Sequence, residues 1–388
     1  MRIKQISVNG LFGIFDHVIP LKRDERITVI HSLNGFGKTA ILRILNGFFN
    51  SEYSQFKKIP FKNFKVELDN DQIIDFKYSQ KAGNIDISYN ILTSDKLFSI
   101  TIPMVVSNQE PEWLKKLQNS IRIRLIESQR LNFFPNLSST GYPRNASMQS
   151  TVSAYSNALA KLMQDKIKEY GTTSQSLDRT FPLRVVKRQP LADVTNEQLR
   201  QQLDKVESTR SSLIEIGFLD KDEGSESQIQ PQDIDESDES TKKALSLYIK
   251  DVEQKLNVFA KTAKRIHLLR KIINKKFASS YKEINFSKEK GFVFTTLHKQ
   301  KISPRDLSSG EQHELVLLFG LLFKAKPNSL VLIDEPELSL HVAWQVEFLK
   351  DLKEITELAD LDILMATHSP DIIQERWDLT VELKGLDK

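Results

Sequence analysis

The 388-residue chain has no cysteine. Neither a disulfide framework nor a thiolate metal site is therefore open to it. It also lacks a long apolar run. The longest, residues 315–323, is far too short to cross a bilayer and reads as part of a buried helix. The opening residues MRIKQI contain no apolar signal-peptide core and read as a strand. These absences predict a cytoplasmic, reducing location with no membrane partner. Charge of one sign is missing too: 55 basic residues face 51 acidic ones, for a net +4. That balance neither demands nor excludes nucleic acid. Hydrophobic content of 39% and charged content of 27% describe an ordinary globular protein. The length suits about two to three domains.

What is present begins with Ser32-Leu33-Asn34-Gly35-Phe36-Gly37-Lys38-Thr39. The apolar run 27–31 precedes it and the apolar helical pattern 40–45 follows, so the stretch reads as strand, loop and helix start. That is the context a phosphate-binding loop requires. Gly35 and Gly37 let backbone N–H groups curl around phosphate oxygens, and the helix start aims its positive dipole end at the same anion. Lys38 would reach the β- and γ-phosphates and the Thr39 hydroxyl would hold Mg²⁺. The nucleotide-binding set is Ser32, Asn34, Gly35, Phe36, Gly37, Lys38, Thr39 and Ala40. One departure stands out: Ser32 occupies the pattern's first glycine position.

Along the chain, strands are expected at 3–8, 17–21, 27–31, 64–68, 73–78, 85–92 and 121–126, with a single clear helix after the phosphate loop. Residues 132–145 are rich in Asn, Pro, Ser and Gly and predict a loop. A helix is expected from about 150 to 170, ending at Gly171. Two segments then show heptad spacing: Leu199, Leu203, Val206 and Leu213, and later Leu245, Ile249, Val252, Leu256, Phe259, Ala263, Ile266, Ile273 and Phe277. Such seams favour coiled-coil-like pairing. Between them, residues 220–240 hold nine acidic residues and almost nothing able to pack, which predicts a disordered loop. The expected arrangement is an antiparallel helical hairpin with this acidic loop at its tip. Its first arm, about 20 residues long, would reach roughly 30 Å. The expected domains are 1–131, 132–194, 195–285 and 286–388, with the acidic loop at 220–241. Lys57, Lys58, Lys62 and Lys65 form one basic patch. Helix 261–276, with Lys261, Lys264, Arg265, Arg270, Lys271, Lys275 and Lys276, forms a second that could contact DNA.

Further motifs complete the first. The apolar strand 329–333 ends in Asp334 and Glu335. Asp334 is placed to hold Mg²⁺, and Glu335 to polarise the attacking water. Leu307-Ser308-Ser309-Gly310-Glu311-Gln312 opens an apolar helix and offers another anion site. Thr367-His368-Ser369-Pro370 follows a buried strand, 33 residues after Glu335. In this order the motifs resemble an ABC-type ATPase head, an α/β fold with a mixed sheet, an antiparallel β subdomain and a helical insertion.

The resemblance implies that Ser308, Ser309 and Gly310 are the signature, with Ser309 and Glu311 replacing the usual glycine and glutamine. It implies that Gln129 is the Q-loop residue at the metal and lytic water, and that Ser339-Leu340-His341 is the D-loop. His368 becomes the switch histidine, so the implied catalytic set is Glu335, His368 and Gln129, with Thr39, Gln129 and Asp334 for the metal. A head split by a hairpin resembles the SMC, RecF and OLD branch. Asp334-Glu335-Pro336-Glu337 with Leu340-His341 resembles its AAA-15/AAA-21 group, which includes ATPase subunits of antiphage systems such as Septu, PARIS and retrons. The implied function is an ATP- and Mg²⁺-dependent dimer that controls a separate effector, an HNH or Toprim nuclease. Only 20 residues follow His368, so a nuclease is expected on another polypeptide. A RecF- or SMC-like repair ATPase and a nucleotide-binding scaffold without turnover are the alternatives.

Overall fold

A computed structural model describes all residues except 55–58, 80–83, 92–95, 104–110, 128–131, 134–148, 188–194, 221–233, 235–237 and 386–388. The chain divides into two compact units, residues 1–132 with 308–388, and residues 133–307.

The first unit contains two sheets. Strands β1 (Ile3–Leu11), β2 (Phe15–Pro20), β4 (Asn63–Leu68), β5 (Gln72–Ser79), β6 (Asn84–Ile91) and β7 (Lys96–Pro103) form an antiparallel sheet in the order β2-β1-β4-β5-β6-β7. In β4 buried and partly exposed residues alternate, as a sheet packed on one face requires. The second sheet is parallel, in the order β16-β3-β15-β14-β8. Its strands are β3 (Ile27–His31), β8 (Arg122–Ile126), β14 (Ser329–Asp334), β15 (Leu361–Thr367) and β16 (Thr380–Glu382). β14 is buried at every residue, which is why it reads as an uninterrupted apolar run.

Helix α1 (Lys38–Phe49) joins the two sheets in one core. Ile41, Leu42, Ile44, Leu45 and Phe48 are fully buried, in a cluster with Ile6, Val8, Phe64 and Phe76 from one sheet and Leu332 and Leu364 from the other. Both β7 and the short helix α2 (Glu112–Ser120) escape the sequence reading. Only Leu114, Leu117 and Gln118 of α2 are buried, too few for a clear period.

The second unit begins at Phe133, within a two-residue ladder of β9 (Asn132–Phe133) with β10 (Gln149–Ser150). Helix α3 (Thr151–Val186) follows and is 36 residues long. It does not end at Gly171 as expected. It continues through Gly171 and Pro182 because contacts with α5 (Glu239–Asn257) hold its polar half. Arg184 donates to both carboxylate oxygens of Asp251 at 2.7 and 2.6 Å and to Leu177 O at 2.9 Å, and Asp178 pairs with Lys255 at 2.6 Å. At the other end of α3, Ser156 Oγ donates to Lys290 O (2.7 Å) and accepts from Phe292 N (2.8 Å). Gly291 permits that approach: its φ is +73°, and a Cβ there would lie 1.9 Å from Ser156 O.

The expected hairpin needs a correction. The second heptad segment is two helices, α5 and α6 (Ala260–Phe277), separated at Val258 and Phe259. The pairs made by α4 (Asn196–Glu215) are Lys205 with Glu253, Ser212 with His267, and Glu215 with Arg270. Numbers rise together on both sides, so α4 runs parallel to α5 and α6. The antiparallel partner of α5 is α3, through Asp178–Lys255 and Arg184–Asp251. An apolar seam gives the period of a helix pair but not its direction, and here the ion pairs settle it. The acidic segment lies almost wholly outside the described residues. The unit ends with β11 (Lys282–Ser287), β12 (Gly291–Thr296) and β13 (Lys301–Ile302), an antiparallel sheet. After it, α7 (Ser309–Phe319) and α8 (Val342–Ala359) belong to the first unit.

Asp251 is buried, so Asp251→Ala strands the Arg184 guanidinium and is expected to destabilise the protein by about 3 kcal/mol. Lys205→Ala removes an exposed partner and should cost under about 1 kcal/mol. Chemical denaturation of the two variants checks the difference.

Candidate functional site

The carboxyl ends of the parallel strands carry the loops that sequence singled out, the place where open α/β sheets take ligands. After β3 the chain turns through residues 32–37 into α1. Gly35 and Gly37 have φ of +89° and +88°. A Cβ on Gly37 would lie 2.4 Å from Leu11 Cδ2, so the turn needs glycine for its dihedral and for its space. Lys38, the first residue of α1, is 5% exposed. Its ammonium nitrogen lies 3.1 Å from Ser32 O, 3.3 Å from Ser32 Oγ, 3.3 Å from Leu33 O and 3.2 Å from His368 Nδ1, four acceptors sharing three N–H donors. Ser32 at the first glycine position thus supplies an acceptor that glycine lacks. Burial pulls the Lys38 pKa below the usual lysine range, opposed by Glu335, Glu337 and Asp334.

Thr39 Oγ1 donates to Asp334 Oδ1 at 2.9 Å, across 295 residues of sequence. Asp334 is 5% exposed. Burial pushes its carboxyl up, countered by the Thr39 hydrogen bond. Glu335 follows in the left-handed region (φ 45°), with its N–H bonded to Ala366 O at 2.9 Å. That backbone is costly for a non-glycine residue. It turns the side chain to within 3.5 Å of His368 Nε2. Because an ammonium only donates, the Lys38 contact makes His368 Nδ1 the acceptor. The His368 backbone N–H donates to Glu337 Oε1 at 2.7 Å.

These groups surround a cavity of about 430 Å³ lined by Phe12, Asn34, Gly35, Gly37, Lys38, Thr39, Ala40, Glu335 and His368. The Phe36 ring turns elsewhere, stacking on Phe15, which stacks on His17. His17 Nε2 lies 3.0 Å from Phe36 O, which braces the loop from behind. Burial lowers the His17 pKa. Gln129 lies outside the described residues, as do Lys57 and Lys58.

Ser308 and Ser309 are exposed at the start of α7. Ser308 Oγ accepts from Glu311 N at 3.3 Å and Glu311 Oε2 accepts from Ser308 N at 2.7 Å, a reciprocal capping box. Glu311, where glutamine is usual, therefore has a local structural job. Ser308, Ser309 and Gly310 do not line the cavity. His341 caps α8, its Nδ1 accepting from Ala343 N at 3.3 Å. Sequence reasoning missed Glu337, although it stands in the same acidic run as Asp334 and Glu335. It also missed Gln345, whose amide near the start of α8 offered no signal.

A triphosphate and Mg²⁺ fit these residues. The turn is so close that Gly37 has no room for a Cβ beside Leu11, its lysine lines the cavity, and a buried carboxylate adjoins a hydroxyl with no cationic side chain hydrogen-bonded to it among the described residues. The fold and this site define a P-loop ATPase head. The sequence profile of AAA_15, the AAA ATPase domain, matches residues 1–373, and the chain belongs to that family. Among curated proteins, none matches. Solved structures similar to it include the Smc head domain with an extended coiled coil bound to the C-terminal domain of ScpA, from Pyrococcus furiosus. That pair shares 14% identity at TM-score 0.42, over 99% of this chain and 94% of the other. The SMC head domain from Thermotoga maritima gives 11% and 0.37, over 96% and 92%. A dimeric post-hydrolysis ATP-binding cassette bound to ADP and Pi gives 11% and 0.33, over 98% and 94%. No described helix is long and apolar enough to cross a membrane.

Asp334→Asn removes a buried charge while keeping an acceptor for Thr39. In metal-free buffer at neutral pH it is expected to raise the melting temperature by about 2–4 °C, the shift roughly 1 kcal/mol gives a unit of this size. The folded-state pKa is raised, so ionised Asp334 costs stability only above the unfolded value. The gain should vanish below about pH 4. Calorimetry across that range checks the sign, and Mg²⁺ should stabilise the wild type but not the variant.

Proposed function

We propose that the chain is an ATP-hydrolysing switch that closes as a homodimer on Mg²⁺–ATP and controls a separate effector, a nuclease, in antiphage defence. One observation carries the ATP-driven dimer. Lys38, Thr39, Glu335 and His368 line one cavity, with Asp334 hydrogen-bonded to Thr39, while Ser308 and Ser309 stand exposed at a helix N-terminus outside it. A second copy would complete the site with its own helix start, whose Ser309 and Gly310 N–H groups lie outside the capping box and suit a phosphate. The defence role rests on the resemblance of the 334–341 and 367–370 motifs to the AAA-15/AAA-21 group.

In this reading Lys38 and the N–H groups of residues 34–39 hold the phosphates, and Thr39 and Asp334 hold Mg²⁺, joined by Gln129. ATP supplies the phosphoanhydride bond to be cleaved. Glu335 accepts a proton from water, and its left-handed backbone aims the carboxylate into the cavity. His368 Nε2–H, fixed by the Lys38 bond to Nδ1, is left to donate into that same space. In this reading Phe12, which lines the cavity, supports the adenine ring.

Glu335→Gln is expected to keep ATP binding, lower turnover by at least about 100-fold and trap an ATP-dependent dimer in sedimentation experiments. Lys38→Ala should neither bind nor dimerise. Wild-type turnover by Glu335→Gln would remove the assignment of the base, and an absence of turnover in the wild type would favour the scaffold alternative. For the role, an adjacent reading frame is expected to encode a nuclease whose co-expression lowers phage plating, and Lys38→Ala should abolish the protection. Replication or recombination neighbours and unchanged plating would favour the RecF- or SMC-like alternative.

A DNA contact is a second reading, favoured by Lys261, Lys264, Lys271 and Lys275 on the exposed face of α6. Arg270 is committed to Glu215, and Lys276 is buried. Reversing Lys261 and Lys264 should lower the slope of log affinity against log salt by about 2. An unchanged slope would sink the contact.

A further inference from the structure

The turn after β14 and the loop after β15 are tied together at two points. The backbone N–H of His368 donates to Glu337 Oε1 at 2.7 Å. One residue later the Ser369 hydroxyl donates to Gln345 Oε1 at 2.6 Å. The same Gln345 donates through Nε2 to Leu340 O at 3.1 Å. Gln345 is 9% exposed and stands in the first turns of α8. Its buried amide therefore spends its acceptor on one loop and its donor on the other. A carboxylate could not do both, and a leucine could do neither.

Glu337 is as specifically used. Its carbonyl accepts from Leu340 N at 3.0 Å, so its backbone shapes the turn while its side chain grips the neighbouring loop. Its second carboxylate oxygen is buried with no hydrogen-bond partner among the described residues. Burying an unsatisfied oxygen costs free energy, which nearby Lys38 partly offsets by charge. On the far side of the clasp, Leu338 and Val342 project at 63% and 58% exposure, flanking His341.

We propose that Glu337 and Gln345 are positioning residues that make the His368 loop and the 339–341 turn move as one body. What His368 meets in the cavity is thereby carried to the outer surface around His341. The inference rests on the reading of the cavity as the nucleotide site. Glu337 acts by accepting the His368 N–H bond, which sets where the imidazole stands. Gln345 acts by holding the backbone of Leu340 to Ser369, which sets the outer surface. The two residues thus divide the work: Glu337 governs turnover and Gln345 governs the dimer's response to ATP.

The test uses the full chain, with steady-state ATP hydrolysis and ATP-dependent dimerisation, the latter in a Glu335→Gln background. Glu337→Ala is expected to lower kcat by at least about tenfold with KM within about threefold, as small displacements of a reacting group do. Glu337→Gln should restore most of the rate, because its amide oxygen still accepts from His368 N–H. In a His368→Ala background, Glu337→Ala should change the residual rate by less than about twofold, since it acts through His368. Gln345→Ala should weaken ATP-dependent dimerisation by about tenfold or more. Three results would overturn the proposal: wild-type kcat in Glu337→Ala, a Glu337→Gln rate as low as that of Glu337→Ala, or unchanged dimerisation in Gln345→Ala. Lys38→Ala and His368→Ala serve as controls. Wild-type rates in both would bring down the nucleotide-site reading itself. If both are impaired while Glu337→Ala is not, only the positioning role fails.

Discussion

The parallel pairing of β3 with β15, and of β15 with β14, is the constraint on which the site depends. β3 comes from the first 31 residues, whereas β14 and β15 lie beyond residue 328, with the whole second unit between them in sequence. Strands in register bring their carboxyl ends level, so the loops after them open onto one space. His31 pairs with Thr367 and Asp334 with Ala366. Lys38 and Thr39 are thereby set beside His368 and Asp334, residues about 300 positions away. The Thr39–Asp334 hydrogen bond is a consequence of this register, and helix α1, buried between the two sheets, prevents Lys38 from moving away.

The same geometry explains a concentration of unfavourable local terms. Lys38 and Asp334 are charged and almost wholly buried, Glu335 occupies a left-handed conformation, and one Glu337 oxygen lacks a donor among the described residues. Each costs stability alone. Together they make a region of strong, fixed field that a polyanion with a divalent cation would neutralise. Folds tolerate such strain where the surrounding packing over-determines it, and here β14, buried at every residue, supplies that packing.

The middle unit follows a different logic. Its helices are long and partly polar, and apolar seams alone leave their directions open. Charged contacts between helices make the choice: Arg184 and Asp178 align α3 against α5, and Lys205 and Glu215 align α4 along α5 and α6. Ser156, which both donates and accepts, fixes α3 on the β11–β12 hairpin where Gly291 leaves room.

Much of the first unit was legible because its signals are local. A glycine needing positive φ and an apolar strand ending in carboxylates each report the backbone around them. The loop at residues 32–39 and the strand end at Asp334 and Glu335 could be read in that way, as could most strands to within a residue or two, whereas His368 was reached only through the resemblance. The weakly patterned α2 and β7 could not. Nor could the roles of Ser32, Glu337 and Gln345, since a polar side chain carries no mark of the distant atom it will meet. The continuation of α3 past Gly171 was hidden for the same reason, because the ion pairs that hold it come from α5. By itself, then, the sequence determined which short segments could cradle an anion or place a carboxylate, for these depend on neighbours within about four residues. Only the tertiary structure decided which of them share a cavity, which way the helices run and which polar groups clasp one loop to another. Those outcomes depend on strand register and long-range pairing, which no local pattern encodes.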